Sequence, residues 1–296
     1  MIILQKQFVM MQALVLLVSF KGDSFLRGSS QILRRHRQFL QIRITAVMDS
    51  IHFERYSRNI TLPEIGGIGQ KRLSRSRVLI IGAGGLGAPT LFYLTASGVG
   101  EIGIVDFDTV SLSNLQRQVL YRVEDIGKLK VDSAQSRLND LNPNTKVITY
   151  PVELSEKNAQ EIFKNYDLVL DGSDNYATRY LVNRYCVKMC KPLLFGAINQ
   201  WDGQLSLYDC ENSSACYECI FPEVNNLDIE TSCSDTGVLG PLVGIIGALM
   251  AAEAIKLITN AGSSLAKEII LYDSLSGEMR RYKTRRRADC KICSYT

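Results

Sequence analysis

The feature that most constrains the fold is a glycine-rich run directly after a short apolar segment, RVLIIGAGGLG at residues 77–87. Val78 to Ile81 are apolar without interruption, which is typical of a parallel strand buried on both faces. Three glycines then match the G-x-G-x-x-G spacing: Gly82, Gly84 and Gly87. Glycine suits such a turn because the backbone bends tightly and approaches phosphate where a side chain would clash. The predicted helix after it, residues 88–96, would offer unpaired N–H groups to an anion.

A second apolar strand, Ile102 to Val105, ends in Asp106, 19 residues after Gly87. An acid at this distance commonly binds a ribose hydroxyl of a nucleotide. Strand, glycines, helix, strand and acid therefore follow in the order of a nucleotide-binding βαβ unit, and they predict an α/β fold. NAD, FAD and ATP all use such a turn, and a glycine-rich turn without a ligand is the plainer alternative.

Charge and histidine content exclude several classes of function. The net charge of +4 arises in residues 1–49, which hold seven Lys/Arg and two Asp/Glu, whereas the rest holds 27 and 28. Nothing beyond residue 49 indicates a global bias toward nucleic acid, and a solvated face explains the locally basic segment 280–287. The only histidines, His36 and His52, argue against a Ser-His-Asp triad and a histidine-rich metal site.

The first 47 residues are predicted to stand apart from the folded protein. The apolar run Phe8 to Phe20 is too short to span a bilayer, and no convincing cleavage site follows it, although it imitates a signal peptide. Met48 precedes the first clear patterning, so we expect the biological start there and residues 1–47 to be unstructured or not translated.

Polar side chains cluster after the predicted second strand. Asp106 and Asp108 are followed by Ser113, Asn114 and Arg117. Ligands in open α/β sheets bind at the carboxyl ends of the strands, where this segment lies. Further along the chain, Lys130 lies at the start of the predicted helix 131–141, where it could point at phosphate.

A third buried strand, residues 167–171, ends in acid and leads to Asp174 and Asn175. These two side chains would face the nucleotide, and capping of the next helix is the structural alternative. Two more predicted strands follow at residues 193–197 and 203–208.

Two C-x-x-C pairs, separated by 70 residues, predict a closed tetrahedral zinc site. The ligands would be Cys216, Cys219, Cys290 and Cys293. One such pair alone could equally be a redox motif, but two together favour structural zinc. Cys186, Cys190 and Cys210 are interpreted as buried small apolar residues.

Several of these segments together resemble the ThiF/MoeB/HesA family, bacterial relatives of ubiquitin-activating enzymes, from about Phe53 to Cys293. The matching segments are Arg55-Tyr56-Ser57-Arg58, the Gly82 to Gly87 loop, Asp106-Phe107-Asp108, Ser113-Asn114-Leu115-Gln116-Arg117 and Lys130. Members of the family adenylate the C-terminal glycine of a sulfur-carrier protein with a ubiquitin-like fold.

The resemblance implies a Rossmann-like, doubly wound, mostly parallel sheet with an antiparallel extension on which the carrier docks. One adenylation domain would cover residues 48–296, with a nucleotide half over about 53–150 and a carrier-docking and zinc half over about 151–296. ATP, Mg²⁺ and structural Zn²⁺ are the expected cofactors. We expect a cytoplasmic homodimer that acts on a carrier ending in Gly-Gly and binds neither nucleic acid nor membrane.

The resemblance also implies residue roles. It places Mg²⁺ on Asp174, Arg58 in the site of a second subunit, and Cys233 in a loop where some members form a covalent carrier intermediate; a surface cysteine is the alternative for Cys233. The expected catalytic residues are Arg58, Arg117, Lys130, Asp174 and Cys233. The expected nucleotide-binding residues are Gly82, Gly84, Gly85, Gly87, Asp106, Asp108, Ser113, Asn114, Leu115, Gln116, Arg117, Lys130, Asp174 and Asn175.

Two other functions compete with adenylation. An NAD-dependent oxidoreductase would share the glycine turn but would have no need of residues 113–117 or of four cysteines. A non-catalytic partner subunit would be expected to lose phosphate-binding residues, which this chain keeps. Because only three residues follow Cys293, we expect sulfur from a separate donor rather than from a fused sulfurtransferase domain.

Overall fold

The structure is a computed structural model that describes residues 50–223 and 237–294. The chain divides into two units, Met1–Arg55 and Tyr56–Thr296, and only residues 50–55 of the first are described. The predicted leader, residues 1–47, and Cys233 lie outside the described residues.

A continuous eight-stranded sheet runs through the second unit in the order β3-β2-β1-β4-β5-β6-β7-β8. Its first five strands pair in parallel. They are β1 (Arg77–Ile81), β2 (Glu101–Val105), β3 (Lys146–Tyr150), β4 (Leu168–Asp171) and β5 (Leu193–Asn199). The order reverses between β1 and β4, and such a switch point forms a crevice at the carboxyl ends of the strands.

The remaining three strands extend the sheet in the antiparallel sense, as predicted. They are β6 (Asp202–Tyr208), β7 (Glu268–Asp273) and β8 (Glu278–Lys283). The basic segment 280–287, interpreted from the sequence as a solvated face, overlaps the outer strand β8 at residues 280–283, and all six residues of β8 are exposed. Charged side chains on such an edge disfavour pairing with another sheet.

Helices cover both faces of the sheet. The longer ones are α1 (Ser50–Ile60), α2 (Gly66–Leu73), α3 (Gly87–Ser97), α4 (Lys130–Leu141), α6 (Tyr176–Lys188) and α8 (Gly240–Thr259). Two short helices are α5 (Ala159–Phe163) and α7 (Tyr217–Ile220). The predicted α/β class with a doubly wound sheet is confirmed.

Alternation along β1 divides the core into two layers. Val78 and Ile80 pack into the layer that includes α3 and α8, whereas Leu79 and Ile81 pack into the layer that includes α5 and α6. Burial of one such side chain contributes about 1.5–3 kcal/mol. Because both layers share this strand, they fix the position of its carboxyl end.

Helix α8 is long and apolar enough to cross a membrane by length and composition, and it alone passes that test among the described residues. Half of it is buried inside the molecule, where it packs on α3, β5 and β6. Its apolar character is therefore that of a core helix.

Candidate nucleotide site and four-cysteine centre

The carboxyl ends of β1, β2 and β4 meet at one edge of the sheet. Gly82 N donates to Val105 O at 2.9 Å, and Gly172 N donates to Ile81 O at 3.0 Å. These bonds continue the parallel ladders one step beyond the strands. They bring the glycine turn, the acid after β2 and the turn after β4 together at the switch point.

The glycine turn depends on the absence of side chains at two positions. Gly82 has φ of +87°, a left-handed conformation that L side chains rarely adopt. A Cβ on Gly87 would lie 2.0 Å from Gly82 O, so no other residue fits where α3 begins. Gly84 differs, since the nearest atom to its added Cβ would be the Gln118 Nε2 at 3.7 Å. Gly84 is therefore free of packing constraint from the chain itself.

Asp106 holds the turn and the loop after β2 together. Its Oδ2 accepts a hydrogen bond from Ala83 N at 2.7 Å, and its Oδ1 accepts one from Asp108 N at 2.8 Å. Burial raises the pKa of this carboxyl above its usual value, while Lys130 and the two backbone N–H groups act to lower it. Each oxygen keeps lone-pair capacity for a further donor, such as a ribose hydroxyl.

The residues predicted to bind nucleotide divide into two groups. One group lines a single cavity of about 360 Å³ at this edge: Gly82, Gly84, Gly85, Asp106, Asp108, Arg117, Lys130, Asp174 and Asn175. The other group is absent from the residues that line this cavity: Gly87, Ser113, Asn114, Leu115 and Gln116. Asn114 Oδ1 accepts from Ser111 N at 3.1 Å, which shapes the short helical turn that leads to Arg117.

Asn175, rather than Asp174, caps helix α6. Its Oδ1 accepts a hydrogen bond from Thr178 N at 2.8 Å, so the structural alternative for this position is present. Asp174 is exposed and faces the cavity. Its carboxylate oxygens are the kind of ligand that Mg²⁺ prefers, so the residue present fits that ion.

Sequence reasoning missed several residues that line the cavity, including Phe107, Gln118, Val152, Ser173 and Arg179. Gln118 is almost wholly buried, and its Oε1 has no hydrogen-bond partner among the described residues. Its position directly after Arg117 was the available signal. Arg179 had none, because it lies four residues inside a helix.

A second cavity, of about 510 Å³, covers the open face of the antiparallel strands. Register places alternate residues on this face, such as Gln204 of β6, Leu271 of β7 and Arg280 of β8. Three residues line both cavities: Asp174, Arg179 and Ile198. The second cavity, which we call the groove, therefore opens at these side chains into the first cavity, which we call the cleft.

The four predicted zinc ligands form a buried cluster. The ligand atoms of Cys216, Cys219, Cys290 and Cys293 all lie within 4.8 Å of one another. The Cys216–Cys290 and Cys219–Cys293 sulfur pairs are 3.7 and 3.4 Å apart. A tetrahedral zinc with Zn–S bonds of about 2.3 Å has sulfur–sulfur edges of about 3.8 Å, so the donor set fits this ion.

Asn183 of α6 supports the cluster from the core. Its Nδ2 lies 3.7 Å from Cys216 Sγ, and its Oδ1 accepts from Tyr217 N at 2.9 Å. Arg287 N donates to Cys219 Sγ at 3.4 Å from the C-terminal segment. Such outer contacts orient ligands and fix sulfur positions before a metal is bound.

The ThiF family model matches residues 56–292 of this chain. The chain belongs to the ThiF family. The match covers the nucleotide cleft and three of the four cluster cysteines (Cys216, Cys219 and Cys290), and it confirms the family resemblance predicted from the motifs.

Curated relatives agree with this placement. A sulfur carrier protein adenylyltransferase from Thermus thermophilus is 47% identical over 244 residues, covering 81% of this chain and 90% of that protein. An adenylyltransferase and sulfurtransferase MOCS3 from Aedes aegypti is 42% identical over 270 residues. That alignment covers 91% of this chain but only 62% of the Aedes aegypti protein, so the chain spans less than two thirds of that relative.

Solved structures share the fold. The MccB protein of E. coli, in complex with MccA-N7isoASN, superimposes with a TM-score of 0.72 and 25% identity, covering 81% of this chain and 74% of MccB. A structure of MccB with ATP superimposes with a TM-score of 0.71 and the same identity and coverage.

Two cysteines of this ThiF-family chain were interpreted wrongly from the sequence. Cys190 and Cys210 form a disulfide, with Cα atoms 5.7 Å apart, and neither is buried. The helix ends at Lys188, so Cys190 lies beyond it in a left-handed conformation (φ 48°) that turns it toward the end of β6. Cys186 is fully buried, as predicted.

Arg58 is exposed on α1 and is absent from the described residues that line the cleft of its own chain. The neighbouring Tyr56 is buried, and its hydroxyl accepts a hydrogen bond from Asn142 Nδ2 at 2.8 Å. A role of Arg58 in the cleft of a second subunit stays a prediction.

Proposed function

We propose that this chain uses ATP to adenylate the C-terminal glycine of a ubiquitin-like sulfur-carrier protein, in thiamine or molybdopterin biosynthesis. One arrangement carries the proposal: a cleft with a glycine turn, Asp106, Arg117 and Lys130 opens beside Asp174 into a groove on the antiparallel sheet. Family membership and the 47%-identical Thermus adenylyltransferase support it.

The reaction activates a carboxylate, which is a poor acyl donor because oxide would have to leave. A carboxylate oxygen of the carrier attacks the α-phosphorus of ATP, and the bond to the β-phosphate oxygen breaks. Pyrophosphate departs with the electron pair and leaves an acyl adenylate. No group of the protein needs to accept a proton, which agrees with the scarcity of histidines. The protein must align the reactants and stabilise charge on phosphate oxygens.

We assign each of these tasks to residues according to where they lie in and around the cleft. The N–H groups of Gly84 and Gly85 would cradle phosphate, and Asp106 would accept a ribose hydroxyl. Arg117 and Lys130 would bind the phosphates directly, and Asn114 would serve them through the helical turn that leads to Arg117. Asp174 would hold Mg²⁺, which neutralises the β- and γ-phosphates when it is bound. Arg58 would enter from a second subunit, which makes the active form a homodimer.

The groove would receive the carrier, and its C-terminal Gly-Gly would pass Ile198 to reach the cleft. Two residues without side chains would leave room for the backbone to pass between the two cavities. Sulfur would come from a separate donor, and we place the reaction in the cytoplasm. Cys233 would act in a covalent step after adenylation.

ATP–pyrophosphate exchange with the full chain tests the proposal. We would add each of two carriers ending in Gly-Gly, one of the thiamine and one of the molybdopterin pathway, and repeat both with the last glycine deleted. Exchange with one intact carrier, lost on deletion, is expected and names the pathway. Arg117→Ala should abolish exchange. Arg122→Ala should not, because Arg122 is an exposed arginine that pairs with Glu124. No exchange with either carrier, together with thermal protection by NAD, would favour the oxidoreductase instead.

A further inference from the structure

The turn between β4 and α6 is held from both sides by a buried pair of opposite charges. Asp171 is the last residue of β4 and is 1% exposed, and its Oδ1 accepts a hydrogen bond from Ser173 N at 2.9 Å. Arg179 of α6 donates from Nε and Nη2 to Ser173 O, at 3.2 and 2.9 Å. The backbone N–H and the backbone carbonyl of Ser173 are thus both held by side chains rather than by a regular element.

Burying a guanidinium is costly unless it is paired and hydrogen-bonded. Arg179 is 9% exposed, and its guanidinium lies 5.6 Å from the ring centroid of Tyr176. Burial acts to lower the pKa of Arg179, but Tyr217 and Asp171 keep it above its usual value. Burial likewise raises the pKa of Asp171, and Ser173 and Arg179 oppose that effect. Asp171 and Arg179 thus each oppose the effect of burial on the other's pKa, together with Ser173 and Tyr217.

The residue that follows this clamped peptide is Asp174. Gly172, which precedes Ser173, is also confined, since an added Cβ would lie 3.1 Å from Leu86 Cβ. The backbone thus enters Asp174 from a fixed direction, although Asp174 itself is exposed. Asp174 and Arg179 both line the junction of the cleft and the groove.

We propose that Arg179 is a positioning residue for Asp174: by holding the Ser173 carbonyl, it places the Asp174 carboxylate where the nucleotide-bound metal ion is held. The inference deepens the proposed adenylation and rests on it for the identity of the ligand. Arg179 acts through the backbone, so its effect requires the carboxylate of Asp174 to be present.

A double-mutant cycle distinguishes this from a general loss of stability, because residues that act through one another give non-additive effects. The four proteins are the unmodified chain, Asp174→Asn, Arg179→Gln and the double variant. The first readout is binding of Mn²⁺ in the presence of ATP, measured by electron paramagnetic resonance. The second is ATP–pyrophosphate exchange.

We expect Arg179→Gln to weaken Mn²⁺ binding by at least about tenfold and to cause no further loss when Asp174 is already Asn. Arg179→Lys keeps the charge opposite Asp171 but loses the paired donors, so it should give an intermediate affinity; it carries the test if the Gln variant does not fold. Arg184→Gln is the matched control on the same helix, where Arg184 pairs with the exposed Glu156 and lines neither cavity.

An equal loss in both backgrounds, or Mn²⁺ binding within twofold of the unmodified chain in Arg179→Gln, would overturn the inference. Absence of Mn²⁺ binding by the unmodified chain with ATP would also overturn it. A third outcome is that Mn²⁺ binding and its dependence on Arg179 are observed but ATP–pyrophosphate exchange is not. That result would overturn only the proposed adenylation.

Discussion

The Lys130 Nζ lies 2.7 Å from Asp108 Oδ2, and the lysine side chain is 7% exposed while that of the aspartate is 52% exposed. The ammonium group is therefore held at the wall of the cleft by a partner that solvent can reach. Under the proposed function, an incoming phosphate would take over part of that pairing without leaving Lys130 uncompensated. A buried cation prepared in this way need not be reorganised when the nucleotide binds.

Replacing Lys130 should separate its effect on nucleotide binding from its effect on folding. We expect Lys130→Ala to weaken ATP binding by at least tenfold, about 1.4 kcal/mol, measured by titration calorimetry. Lys128→Ala is the matched control, because Lys128 is exposed and pairs with Asp125 outside the cleft. Equal affinity of the two variants would contradict a phosphate role for Lys130.

The same variant should change the pH dependence of the site through Asp106. Burial raises the pKa of Asp106 and Lys130 lowers it, so removing Lys130 raises that pKa further. The acid limb of ATP binding should therefore move to higher pH in Lys130→Ala. The effect on the free energy of unfolding has a definite sign. An acid whose pKa is higher in the folded than in the unfolded state stabilises the fold most at pH values below its unfolded-state pKa. That contribution is lost as pH rises through the folded value. Urea unfolding at several pH values measures it, and a pH-independent difference between the proteins would refute it.

Two glycines of the turn should respond in opposite ways to an added methyl group. Gly87→Ala places Cβ 2.0 Å from Gly82 O and should destabilise the fold, lowering the melting temperature. Gly84→Ala meets nothing closer than 3.7 Å in the chain, so it should keep the melting temperature and lose ATP affinity instead. Thermal melts with and without ATP distinguish the two. A Gly84→Ala protein with unchanged affinity would show that ATP does not approach this turn.

Removing a cluster cysteine should remove one equivalent of zinc. Cys290→Ser should release the metal and lower the melting temperature by about 8 °C or more, for a loss of about 4 kcal/mol of linked binding energy. Elemental analysis and differential scanning calorimetry measure the two effects. Cys186→Ala changes a buried cysteine outside the cluster and should keep the zinc. Retention of zinc by Cys290→Ser would disprove the predicted ligand set.

Reduction of the Cys190–Cys210 bond should destabilise the chain without affecting the metal. The bond closes a loop with a sequence separation of 20, for which chain entropy predicts about 3 kcal/mol. A Cys190→Ser, Cys210→Ser double variant should show that loss, retain zinc and no longer respond to mild reductant. Two extra free thiols in the denatured, unreduced protein would mean that the bond does not form.

The parts of the fold that were predictable are those with a local signal. The apolar run of β1 and its glycines specify strand, turn and helix within residues 77–97, and the cysteine spacing specifies the cluster. Strand β8 has no such signal, because all six of its residues are exposed and only its pairing with β7 makes it a strand. Arg179 and the Cys190–Cys210 bond depend on tertiary contacts between segments, and single-sequence patterns do not report those.

The sheet that links the cleft to the groove also limits how the protein can move. Strand β5 pairs in parallel with β4 and antiparallel with β6, so one hydrogen-bonded surface carries both binding regions. A hinge motion that closed the parallel half of the sheet over the antiparallel half would have to break these strand pairings. Under the proposed function, this continuous sheet would set the distance between the docked carrier and the α-phosphorus of ATP. Adjustment of that distance would then fall to side chains and to the loops that connect the strands and helices.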